Sequence, residues 1–271
     1  MFNKNGKPTE LFRHISDYTD SDRCSEDFEF NHSFPAALSE LFANETGLHI
    51  IGARPARGKT TLMLQKALDC ANSSNVYIYE AEENREKIIQ RMSTILTGST
   101  SETDLYIARE YVKAFLKKSN IYLCTQCAAI EEIFEELKNK SGIVFIDYLQ
   151  LLYTQTVTES REEERRIILE NLRKLGSNKP VYVFSQLNRE ADAIRDCPPS
   201  PESLRFYKNI GDYADTVTTF ANLSCEDETG AAVFSVYDKN SAEPAKTLNA
   251  GIDDSTGLFI DCEPERTGAK N

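Results

Sequence analysis

The sequence predicts an α/β fold: a mostly parallel central sheet flanked by helices, with antiparallel strands at the C-terminal end. Three observations lead there. From Phe34 onward short β-type apolar runs alternate with helical stretches, a glycine-bearing loop joins one of these runs to a helix, and after Ala214 strand-like runs succeed one another with little helix between them. Short apolar strands separated by helices call for a parallel sheet covered on both faces, whereas runs joined by turns read as hairpins.

Taken in order, residues 1–33 are polar and charged, with one weak amphipathic stretch, Leu11-Phe12-Arg13-His14-Ile15, and read as an N-terminal arm or linker. The main domain is expected over 34–262 and a polar tail over 263–271. Strands are expected at Leu48–Gly52, Val76–Tyr79, Ile121–Leu123, Ile143–Ile146 and Val181–Phe184. Apolar residues at helical spacing place helices around Thr61–Cys70, Arg85–Leu96, Asp104–Lys118, Ala128–Lys138 and Arg161–Leu175. The antiparallel end is expected from Val217–Phe220, Ala232–Tyr237, Lys246–Leu248 and Leu258–Ile260. No internal repeat or low-complexity tract interrupts this pattern.

A chain of 271 residues buries one sizeable core, and two full domains would be cramped. No apolar run approaches the length needed to cross a bilayer, and the start, Met1-Phe2-Asn3-Lys4-Asn5-Gly6-Lys7, lacks the apolar segment of a signal peptide, so a cytoplasmic protein without membrane partners is expected. Seven cysteines, an odd number, fit reduced thiols better than a disulfide framework. The close pair Cys124-Thr125-Gln126-Cys127 has no second pair or nearby histidine and reads as structural. A net charge of −12 argues against indiscriminate binding to nucleic acid or acidic membranes, while leaving room for a local basic channel.

The chemistry concentrates in Gly52-Ala53-Arg54-Pro55-Ala56-Arg57-Gly58-Lys59-Thr60-Thr61, between an apolar strand and an amphipathic helix. A loop that opens a helix aims backbone N–H groups and the helix dipole at closely spaced negative charges. Gly58 allows close backbone approach, Lys59 reaches β- and γ-phosphates, and the Thr60 hydroxyl is placed to ligate magnesium. Ala53 stands where the general phosphate-loop pattern has glycine. The stretch predicts Mg-ATP binding by Ala53, Arg54, Pro55, Ala56, Arg57, Gly58, Lys59, Thr60 and Thr61.

Hydrolysis also needs a magnesium-holding acid at a buried strand end, a base and a γ-phosphate sensor. Gly142-Ile143-Val144-Phe145-Ile146-Asp147 is an apolar strand ending in an acid, the Walker-B arrangement. Glu82 comes after the strand Val76-Tyr77-Ile78-Tyr79, but Glu80, Glu83 and Glu86 crowd the same region, and periodicity does not pick the base among them. Gln186, at another strand end, is either a sensor or a turn residue.

Three segments resemble the motor-domain motifs of DnaB-type replicative helicases, which have the RecA-like P-loop ATPase fold: Gly52-Ala53-Arg54-Pro55 with Gly58-Lys59-Thr60, then Ile146-Asp147-Tyr148-Leu149-Gln150-Leu151, then Ser185-Gln186-Leu187-Asn188-Arg189. The resemblance covers roughly Phe34 to the C-terminal region and makes Ala53 the family's own variant. It implies Lys59 and Thr60 on phosphate and magnesium, Asp147 supporting the metal, Glu82 as the base, Gln186 as the sensor, and Arg91 close to the nucleotide. Family members form six-subunit rings in which a lysine and an arginine of a late strand reach the neighbouring site. Here Lys239 matches the lysine, acting in trans, and Ser241 stands in place of the arginine, with Lys246 a candidate substitute from a neighbouring position. In Glu202-Ser203-Leu204-Arg205-Phe206-Tyr207-Lys208, which is similar to the family's DNA loop, Arg205 and Lys208 can hold phosphates and Tyr207 can stack on a base. The resemblance thus implies a magnesium-dependent ATPase acting on single-stranded DNA as a homo-oligomer, a hexameric ring in the family, with replication proteins as further partners. The alternative is a RecA-like ATPase without unwinding activity that serves as a regulatory or loading partner.

Overall fold

The computed structural model describes residues 10–18, 33–43, 46–187, 198–204, 210–223, 230–239 and 241–262. Ten strands form one sheet: β1 (Arg13–His14), β2 (Gly47–Ala53), β3 (Val76–Glu80), β4 (Ile121–Cys124), β5 (Ile143–Asp147), β6 (Pro180–Gln186), β7 (Thr216–Leu223), β8 (Gly230–Asp238), β9 (Lys246–Ile252) and β10 (Phe259–Ile260). Five α-helices accompany them: α1 (Lys59–Cys70), α2 (Arg85–Thr97), α3 (Glu102–Lys118), α4 (Ile130–Leu137) and α5 (Arg161–Gly176).

The spatial order is β1-β4-β3-β5-β6-β2-β7-β8-β9-β10. From β4 to β7 every neighbouring pair is parallel, and β1, β8, β9 and β10 join antiparallel. The fold class expected from the sequence is therefore the one observed. Strand alternation divides the core. Ile143 and Phe145 of β5 join Leu62, Met63, Ile88 and Val112 of α1, α2 and α3 on one face, while Val144 and Ile146 join Ile133, Ile168 and Leu172 of α4 and α5 on the other. A strand buried on both faces reads as a continuous apolar run, which is why β2, β3 and β5 stand out in the sequence.

Local signals set the helix ends. Asn84 accepts from the Lys87 N–H at 3.0 Å and Ser160 from the Glu163 N–H at 3.1 Å, each supplying an acceptor to a first-turn donor. Gly98 closes α2 in the left-handed conformation, φ 63°.

The segment expected as an arm contributes to the fold where it is described. β1 pairs with β4 through Arg13 opposite Leu123 and His14 opposite Tyr122, and Phe12 and Ile15 are buried. The N–H groups of Leu11 and Phe12 donate to the Glu136 carboxylate at 2.6 and 3.0 Å. This short antiparallel strand covers the edge of β4, which would otherwise present unpaired backbone groups. Among the described residues no helix is long and apolar enough to cross a membrane.

Candidate active site

Parallel strands point their carboxyl ends the same way, so adjacent strands bring their last residues to one edge. β3, β5, β6 and β2 lie side by side and end at Glu80, Asp147, Gln186 and Ala53; Glu80 is in register with Asp147, and Ala53 with Gln186. Ligands collect beyond this edge in open α/β sheets. A cavity of about 580 Å³ opens there, lined on the near side by Pro55, Ala56, Arg57, Gly58, Lys59, Thr60 and Thr61 and by Glu82, Glu83, Arg91, Asp147 and Gln186.

The loop after β2 enters α1 through Gly58, whose φ of 87° lies in the left-handed region. An L residue there costs about 1–2 kcal/mol, and a Cβ would sit 3.1 Å from two ring atoms of Phe259, so glycine is required on two counts. The first-turn N–H groups of α1 have no acceptor within the helix, and with the helix dipole they form an anion-binding end.

Lys59 is buried, and its Nζ donates to the carbonyls of Ala53 and Arg54 at 3.4 and 3.2 Å. Burial lowers its pKa, opposed by the charges of Asp147 and Glu82. Ala53 and Arg54, expected from the sequence to bind ATP, are not among the residues lining this cavity; they contribute the carbonyls that hold Lys59. Thr60 Oγ1 donates to Asp147 Oδ2 at 2.6 Å. Asp147 is buried, and burial raises its carboxyl pKa while the Thr60 hydroxyl works the other way. A hydroxyl and a carboxylate side by side at a helix start are hard oxygen donors and fit magnesium, which takes one or two carboxylates and completes its shell with phosphate oxygens and water.

The four crowded acids separate by geometry. Glu86 is on the surface against Arg85. Glu83 faces the cavity but is held by a bidentate pair with Arg91, Nε to Oε2 at 2.7 Å and Nη2 to Oε1 at 2.8 Å, so Arg91 reaches the cavity with its guanidinium already engaged. Glu80 is 1% exposed and accepts from the backbone N–H of Glu82 at 2.7 Å and of Glu83 at 3.0 Å. Burial, with the Asp147 charge beside it, pushes its pKa up to about 8. Glu82 lines the cavity, exposed, near enough for its charge to act on Lys59 and Asp147.

Gln186 is placed by Gln150. The Gln150 amide accepts the Gln186 N–H at 3.2 Å and donates to the Gln186 carbonyl at 3.3 Å and to Ser185 Oγ at 2.9 Å. Lys239 is exposed just beyond β8 and does not line the cavity of its own chain. Ser241 Oγ donates to the Glu243 carbonyl at 2.6 Å, and Lys246 pairs with Glu40 at 3.1 Å. Arg205, Tyr207 and Lys208 lie outside the described residues.

The far wall of the cavity is not foreshadowed by any sequence motif. It consists of Asn222 from β7, Ile252 from β9, and Thr256, Gly257 and Phe259 around the turn into β10. Asp253 Oδ1 accepts from the N–H and hydroxyl groups of both Ser255 and Thr256 at 2.6–3.0 Å, which folds this turn. Gln65 of α1 clamps Phe259, donating to its carbonyl and accepting its N–H, both at 2.9 Å. Residues 253–257 carry a local turn signal, but nothing local says that the turn faces a loop almost two hundred positions earlier.

Comparison with known proteins is consistent with this geometry. Residues 42–232 match the family model of the DnaB-like helicase C terminal domain. A probable plasmid replicative DNA helicase of Chlamydia psittaci is 27% identical over 239 residues, covering 79% of this chain and 51% of that protein. The replicative DNA helicase DnaB of Helicobacter pylori is 30% identical over 193 residues, covering 64% of this chain and 39% of that protein. The chain thus spans about half, or less, of the length of these curated relatives. Among solved structures, a DnaB-like replicative helicase studied with its interactions with primase superposes with a TM-score of 0.70 at 21% identity, covering 85% of this chain and 62% of that one. At that identity the likeness speaks for the fold.

Proposed function

We propose that this chain, which belongs to the DnaB-like helicase C-terminal domain family, is a magnesium-dependent ATPase motor of the cytoplasm that acts on single-stranded DNA in replication or a related DNA transaction. One juxtaposition carries the reading: the Thr60 hydroxyl 2.6 Å from Asp147 Oδ2, at the start of α1, beside the buried ammonium of Lys59.

In this reading the N–H groups of the 55–61 loop and the Lys59 ammonium bind the β- and γ-phosphates, and Thr60 and Asp147 hold magnesium. When bound, the ion neutralises charge on the phosphate oxygens. Glu82 takes the proton of a water that attacks the γ-phosphate, and Gln186, its backbone held by Gln150, reports whether that phosphate is present. Arg91, paired with Glu83, stands close to the nucleotide. Lys239 acts in trans in a homo-oligomer, read here as a hexameric ring. DNA contact falls to Arg205, Tyr207 and Lys208, a local basic and aromatic group on a chain of net charge −12.

The test is phosphate release from Mg-ATP with and without single-stranded DNA. Turnover that rises severalfold with DNA is expected. Turnover indifferent to DNA supports an ATPase without unwinding activity, in a regulatory or loading role, and absence of both binding and turnover sinks the ATPase reading.

Ser241→Arg supplies a second test. A guanidinium delivered to a neighbour's site stabilises transition-state charge, an effect reaching about 10³-fold or more in enzymes built around it. The variant should raise turnover per subunit at concentrations where the chain assembles and leave it unchanged in dilute monomer, read by phosphate release across a concentration series. A flat series would remove Ser241 from the neighbouring site.

A further inference from the structure

The mechanism above leaves one buried acid unused. Glu80 ends β3 at 1% exposure and does not line the cavity. A carboxyl taken out of water is costly unless hydrogen bonds replace its hydration, and the bonds it makes all run to parts of the site. Its Oε1 takes the N–H of Glu82 at 2.7 Å and of Glu83 at 3.0 Å, two of the three residues that run between β3 and the Asn84 cap of α2. Asp147 is the residue facing it across the β3–β5 register. Glu83, tied down at its N–H by Glu80, is tied at its carboxylate by Arg91.

We propose that Glu80 is a positioning residue for ATP hydrolysis, its single carboxyl fixing the turn that carries Glu82 at the strand end next to Asp147, and so setting the proton acceptor relative to the metal-holding acid. The inference rests on the ATPase reading above and adds to it a residue that touches neither substrate nor metal. Geometry is the physical basis. Glu82 is exposed, and the Glu80 bonds fix its N–H and that of Glu83 against the sheet. A displacement of about 1 Å at a reacting group costs on the order of 10²-fold in rate. The Glu80 hydrogen bonds run to Glu82 and Glu83 and none to the phosphate loop among the described residues, so nucleotide binding is expected not to depend on it.

The experiment compares the full chain with Glu80→Ala and Glu80→Gln, measuring kcat and KM for Mg-ATP hydrolysis and the equilibrium Kd of a fluorescent ATP analogue with magnesium. Glu80→Ala is expected to lose about 30-fold or more in kcat with Kd within about threefold. Glu80→Gln keeps an oxygen acceptor for both N–H groups and should recover kcat to within about tenfold of the parent chain. If circular dichroism shows Glu80→Ala unfolded, Glu80→Met, which keeps the volume and loses the acceptors, is read by the same criteria. The proposal is overturned if the variant lacking the acceptors turns over like the parent, or if it and Glu80→Gln lose kcat and binding together. A parent chain that neither binds nor hydrolyses Mg-ATP overturns the ATPase reading itself, and this proposal with it, whatever the ratios among variants.

Discussion

Glu82→Gln should lower ATP turnover by about two to three orders of magnitude while Mg-ATP binding stays within about threefold of the parent chain. Glutamine keeps the length and the oxygen acceptor but cannot take a proton, so the substitution removes the general base and little else. Three features make the outcome sharp. Glu82 is exposed at the cavity rim, so the change leaves the core untouched. Its position is set by its backbone N–H, held at 2.7 Å by Glu80, and this bond survives the substitution. The loop, Lys59, Thr60 and Asp147 remain to hold phosphate and metal. Single-turnover hydrolysis and titration with a fluorescent ATP analogue separate the two effects. Turnover near that of the parent would mean that the proton goes elsewhere, with Glu83, which also faces the cavity, first in line.

How much of this site is legible in the sequence depends on which interactions are local. The phosphate loop and Asp147 are legible because each belongs to one continuous segment: a strand with its carboxyl end and, for the loop, the helix it opens. Parallel topology then carries strand ends to a common edge, so Gln186 and Glu82 can be placed near Lys59 without knowledge of any contact. The strands β2, β3 and β5 are readable to within two residues because burial on both faces keeps them mostly apolar, with His49 a polar residue inside β2, and β3 differs from its expected extent only by ending at Glu80.

The choice among the acids is not legible, because Glu80, Glu82, Glu83 and Glu86 differ in what surrounds them and not in type. Alternation along the extended chain puts Glu80 and Glu82 on the same side, yet one is buried against Asp147 and the other opens to the cavity. That difference comes from the turn after β3, which Glu80 itself holds. Equally hidden is the far wall. Asn222 and Phe259 reach the loop because β7 pairs with β2 and because Gln65 clamps the backbone of Phe259, contacts across more than 150 positions with no sequence period of their own. The strand at Arg13–His14 is two residues long, too short for alternation to register, and only Phe12 and Ile15 hint that the segment has a buried side.

Lys59→Ala should abolish the stabilisation that Mg-ATP confers while leaving the ligand-free chain at least as stable as the parent. The two halves share one origin: Lys59 is a buried ammonium that donates to two carbonyls at 3.2 and 3.4 Å. Desolvation is the largest influence on its pKa and lowers it, so the charge is held at a cost. Triphosphate reverses the balance, since its charges meet the ammonium where water is largely excluded and attraction is strong. Ligand at a hundred times Kd stabilises a native protein by about 2.7 kcal/mol, and a variant whose affinity falls about a hundredfold keeps only a small fraction of that. The sign with pH adds a second readout. A lysine with a folded-state value below its ordinary 10.5 releases its proton in the folded chain before the unfolded chain does, so its contribution to stability increases as pH rises toward 10.5. The difference in unfolding free energy between parent and variant should therefore shift in favour of the parent as pH is raised from 7 toward 10.5, measured by urea denaturation without ligand. Retention of the full Mg-ATP thermal shift by Lys59→Ala would place the phosphates somewhere other than the start of α1.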